Sequence, residues 1–97
     1  MKILALERDP EGAARAAATP ELLRAEAARV WELQQSGSAR ELHLRADRPQ
    51  AVLVLECQGV DEARRRVEEL PLVREGVIDF ELIPLVAYPG FARLFAP

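Results

Sequence analysis

Cysteine, histidine and lysine each occur once, as Cys57, His43 and Lys2. A lone cysteine closes no disulfide within the chain, and one Cys with one His cannot furnish the N/S ligand set that zinc, copper or iron–sulfur sites require. No metal and no cofactor are expected. The N-terminal run M-K-I-L-A-L is too short for a signal segment or a spanning helix before charges interrupt it, so the chain reads as cytoplasmic and free of the membrane. A basic stripe is missing as well: the formal net charge is −3 and acids and bases are interspersed, which excludes a nucleic-acid footprint. Even Arg64, Arg65 and Arg66 point different ways around a helix among Glu62, Glu68 and Glu69, as on a solvated face. There is no Gly-rich phosphate loop, no H-E-x-x-H and no G-x-S-x-G, so nucleotide hydrolysis, zinc proteolysis and serine hydrolysis have no support.

What is present is one domain of 97 residues, 1–97, with an apolar tail over 86–97. Residues 1–8 carry Leu4 and Leu6 on one side and Ile3 and Ala5 on the other, a strand apolar on both faces and therefore central. The alanine-rich stretch 9–18 reads as a loop with at most a helical turn. Thr19-Pro20 starts a helix that runs to about Ser36, with Gly37 as its stop. Alternation marks strands over 39–46 and 50–57, joined by a turn at Asp47-Arg48-Pro49. Asp61 opens a second helix to Leu70, Pro71 breaks it, Leu72 and Val73 form a connection, and Gly76 leads into a last strand over 77–85.

Strand, helix, strand, strand, helix, strand is the split βαβ of ferredoxin-like α+β domains, in which two helices cover one face of a four-stranded antiparallel sheet. The other face is left bare. With strands apolar on both sides, a second copy is the simplest cover, so two sheets closing into a dimeric α/β barrel are expected. The tail residues Tyr88, Phe91, Leu94 and Phe95 need a surface too, and the partner's is the expected one.

The turn at Gly37 with Arg40 and Leu42, the V-D-E start at Val60, and L-P-L at Leu70 to Leu72 before an acidic last strand resemble the muconolactone isomerase-like family of dimeric α/β barrels over nearly the whole chain. The alanine-rich loop and the more apolar tail depart from that pattern. What the resemblance implies is isomerisation of an unsaturated lactone or small organic acid by proton transfer, with an acidic residue at the position of Glu26.

The residues themselves single out Glu26, because it falls on the helical wheel between Leu33 and Val30, inside an apolar arc of Leu22, Leu23, Ala27, Val30, Trp31 and Leu33. A carboxylate in apolar surroundings holds its proton to higher pH and can act as a base tuned toward neutrality. The alternative is a side chain that bends outward or pairs with an arginine. His43 is the other catalytic candidate, weighed against an ordinary surface histidine. Trp31 and Tyr88 are candidates to line a ligand pocket, weighed against core packing and tail docking. Cys57, at the end of an apolar strand, reads as a buried inert thiol. Two functions stay open: an isomerase of this type acting on a small molecule, or a non-catalytic dimeric barrel that binds a small apolar ligand or serves a structural role. A cofactor-free monooxygenase on the same barrel has no residue signature.

Overall fold

A computed structural model describes residues 1–11 and 17–96; the middle of the expected 9–18 loop, residues 12–16, lies outside them. The element order is β1 (Lys2–Arg8), α1 (Pro20–Gln35), β2 (Ala39–Leu44), β3 (Ala51–Glu56), α2 (Val60–Glu68), α3 (Pro71–Arg74) and β4 (Asp79–Pro84), followed by a 3₁₀ turn over Gly90–Leu94. The four strands form one antiparallel sheet in the order β2-β3-β1-β4. This α+β arrangement, with three helices, is compatible with a ferredoxin-like fold. The central place of β1 follows from its composition, since a strand apolar on both faces gains most from neighbours on both edges.

Period two decides which side chains meet the helices. Ile3 and Ala5 of β1, Leu53 and Leu55 of β3 and Phe80 of β4 are buried, and they pack with Leu33 of α1 and with Ala63 and Val67 of α2. The intervening residues Leu4, Leu6, Val52, Val54 and Ile83 are only half-buried and stand outside that core. Leu4 pairs with Val54 and Ile83, and Leu6 with Val52, so they make one continuous apolar patch on the face without helices.

Thr19 caps α1 through its hydroxyl, which accepts the Leu22 N–H at 3.1 Å, and Pro20 takes the first turn where a missing N–H costs nothing. Gly37 ends the helix region with φ of 85°, a conformation that favours glycine. The expected arc of α1 is too broad for one contact: Leu22, Val30 and Leu33 turn toward the sheet, whereas Leu23 and Ala27 are exposed and Trp31 is 62% exposed. A helix lying on one sheet buries a stripe, and an apolar arc about half the circumference wide leaves its far side uncovered.

The break at Pro71 is a helix start rather than a plain connection. Pro71 occupies the first turn of α3, Leu70 is its N-cap, and both are buried. Gly76, at φ of 73°, turns the chain toward β4. Beyond Pro84 the tail does not fold back on its own domain: Val86, Tyr88, Phe91, Leu94 and Phe95 are all exposed. Tyr88 and Phe91 meet edge to face with ring centroids 5.1 Å apart. A Cβ on Gly90 would lie 2.2 Å from the Tyr88 ring, so glycine is what lets that ring settle over the backbone.

Candidate functional site

The site begins with the amides of α3. Pro71 has no N–H, and the N–H groups of Val73 and Arg74 both turn to the Leu70 carbonyl. Leu72 N–H is left over, one of the donors that a helix start cannot satisfy from within. Glu26 Oε1 accepts it at 3.0 Å, although the two residues are 46 positions apart. α1 thus lowers a carboxylate onto the start of α3.

Below this contact lies a cavity of about 310 Å³. Val30 of α1, Leu42 of β2, Ala51 and Leu53 of β3, Phe80 of β4, and Leu70, Leu72 and Ile78 around α3 supply its apolar wall; Glu26 and His43 complete it. Broader hollows exist, such as one of about 530 Å³ by Ala28, Arg29 and Arg74, but they are more open to solvent and edged by charged side chains, among which Arg29 pairs with Glu32 and Glu69. The α1–sheet cavity suits a small ligand with an apolar body.

Glu26 is half-buried, and its carboxyl is pushed above the usual carboxylate range. Burial is the largest cause; the Leu72 N–H works the other way by stabilising the charged form, and the negative charge of Glu7 adds to the rise. Among the described residues no cationic side chain forms an ion pair with Glu26. The nearby guanidinium groups are otherwise engaged: Arg29 pairs with Glu32 and Glu69, Arg66 with Glu62 and Glu69, and Arg8 and Arg64 both with Asp79. A carboxyl so placed can take a proton from a carbon acid and keep it long enough to return it.

The other candidates are dispersed. His43 borders the cavity, but its side chain is mostly exposed and its Nε2 lies 3.1 Å from Glu41 Oε1 on the same strand. Trp31 lies on the outer side of α1 and Tyr88 on the tail, 62% and 67% exposed, and neither lines the cavity. Cys57 is buried and burial pushes its thiol up, which suits an inert side chain. Glu7 is the residue that sequence reasoning passed over. Its signal was available, for position 7 follows Ile3 and Ala5 at spacing two on the helix-facing side of β1.

The sequence matches no protein-family model and no curated protein. No group of three or more His, Cys, Asp or Glu side chains among the described residues is arranged to hold a metal ion. No helix among those residues is long and apolar enough to cross a membrane.

Proposed function

We propose that the protein is a small-molecule isomerase that moves a double bond in an unsaturated lactone or small organic acid by proton transfer, as the likeness to the muconolactone isomerase-like family implies. The observation that carries this reading is Glu26, a carboxyl raised by burial in the wall of an apolar cavity and steadied by the Leu72 N–H. In the reaction, ionised Glu26 removes a proton from a carbon adjacent to both a carbonyl and a C=C bond. The electron pair of that C–H bond delocalises into a dienolate, and protonated Glu26 returns the proton to the far carbon. The double bond has moved, nothing is oxidised, and Glu26 is regenerated.

The working unit is a homodimer closed through the open sheet face, where Leu4, Leu6, Val52, Val54 and Ile83 form the apolar patch. With its free thiol buried, the chain suits a reducing compartment, and we assign it to the cytoplasm.

The test is to incubate β,γ-unsaturated butenolides with the protein in D₂O and follow deuterium entry by NMR together with the absorbance of the conjugated product. Enzyme-dependent exchange is expected, and Glu26→Gln should lower kcat by ~10²-fold or more. Turnover unchanged in that variant overturns the assignment.

A second reading has its own support. Because Glu26 caps α3, its carboxylate also has a structural duty, which fits a barrel that binds a small apolar ligand without reacting it. Saturable binding of the lactones with no deuterium entry would decide for this reading.

A further inference from the structure

Among the described residues the wall of the α1–sheet cavity holds one carboxyl, Glu26, and no lysine or arginine. The guanidinium groups on the surrounding elements are engaged elsewhere. Arg64 reaches the main chain of Phe80, a wall residue, where its Nη2 donates to the carbonyl at 3.0 Å, but its Nη1 pairs with Asp79 at 3.2 Å. Arg29 is shared by Glu32 and Glu69, and Arg40 turns its Nε to the Gly37 carbonyl at 2.6 Å. Arg74 borders the separate hollow beside Ala28. His43, the exposed member of the wall, has its Nε2 3.1 Å from Glu41 Oε1, so even when protonated it is one half of a neutral pair.

A ligand that brought a carboxylate into this space would lose water, find no cation to replace it and meet the like charge of ionised Glu26. A neutral carbonyl gives up far less hydration, and the hydrocarbon around it gains by leaving water for the apolar wall. The cavity volume of about 310 Å³ stands at the lower end of the ~300–1,000 Å³ of small-molecule sites, room for a single ring with a short substituent. We propose that the cavity selects neutral ligands of that size, lactones and esters among them, and rejects the corresponding carboxylates. Of the unsaturated lactone and the small organic acid, this leaves the uncharged lactone as substrate. Charge counting along the reaction agrees. With a neutral lactone, proton removal moves one negative charge from Glu26 to the dienolate and the total stays at one. With an ionised acid the cavity would hold two negative charges at every stage, with no cation in its described wall to offset either.

This inference rests on the cavity being the ligand site of the proposed function, but its test needs no turnover. Three saturated, unreactive lactones serve as probes: γ-valerolactone, the same ring with a carboxymethyl group in place of the methyl, and the methyl ester of that acid. Each is titrated into the wild-type protein at pH 7.5, where the acid is ionised, and binding is read from the amide shifts of Leu72 and Ala51 by ¹H–¹⁵N NMR, which locates it at the cavity. γ-Valerolactone and the ester are expected to bind there, and the acid to bind at least tenfold more weakly than the ester. An acid that binds as tightly as its ester, or an ester that leaves both amides unmoved, overturns the proposal. Glu26→Gln, with its fold confirmed by the amide spectrum, removes the like charge and should narrow the gap between acid and ester; a gap unchanged in the folded variant overturns the part given to Glu26. Preference for the ester without deuterium entry into butenolides would keep this inference and remove the isomerase. Deuterium entry alongside equal binding of acid and ester would keep the isomerase and remove this inference.

Discussion

Glu26 does two things that pull in opposite directions. As an acceptor for the Leu72 N–H it is better ionised, and as a half-buried group that also feels the negative charge of Glu7 it is better neutral; burial wins, and the carboxyl sits above its ordinary range. The folded chain then binds more protons than the unfolded chain between the ordinary and the raised value. Stability is therefore greatest below that interval and falls as pH rises through it. Glu26→Gln keeps an oxygen for Leu72 and removes the charge, so its thermal midpoint should match the wild type in acid and exceed it at neutral pH, as read by circular dichroism melts across that range. Glu26→Ala also removes the cap and should lose about 0.5–2 kcal/mol relative to the glutamine variant in urea unfolding. Equal stability of the two variants would deny the cap. The position of Glu26 was legible because a charged residue interrupts an apolar arc. Glu7 was legible only by following the spacing of Ile3 and Ala5 on to position 7, because one acid at a strand end otherwise looks like a solvent-facing terminus.

At the scale of elements, strands were read more securely than breaks. Alternation in Ile3-Leu4-Ala5-Leu6 and in Leu53-Val54-Leu55 assigns each side chain to a face, and the burial of Ile3, Ala5, Leu53 and Leu55 follows that assignment. α3 was missed because four residues give no helical period, and a proline that ends one helix is equally suited to begin the next. Its start matters to the site, for it frees the amide that holds Glu26. The outward turn of Trp31 was hidden for a different reason: a wheel gives the width of an apolar arc but not which part of it the sheet will cover. Phe80 joins these elements, since it is buried under the helices and lines the cavity. Phe80→Ala should cost ~3–5 kcal/mol in urea unfolding. A loss below about 1 kcal/mol would mean that the surrounding elements collapse into the space.

At the scale of the whole molecule, the single chain leaves too much apolar surface in water. The open sheet face carries Leu4, Leu6, Val52, Val54 and Ile83, α1 shows Leu23 and Trp31, and the tail exposes Tyr88, Phe91, Leu94 and Phe95. Soluble monomers seldom show contiguous apolar patches of more than a few hundred Å². The sheet face is the part best suited to a two-fold interface, because its residues are held rigidly in register and a copy of the same face is complementary in character. Val54 lies within it, paired to Leu4 on one side and to Glu41 on the other. Val54→Glu places a charge in that patch while leaving the helix-side core untouched, so the variant should fold. Desolvating one unpaired carboxylate per subunit costs several kcal/mol, enough to split a dimer of micromolar affinity. Light scattering after size exclusion should give the mass of two chains for the wild type and of one chain for Val54→Glu, with circular dichroism unchanged between them. A wild type already at the mass of one chain, or a folded variant that keeps the mass of two, would show that the open sheet face is not where the copies meet.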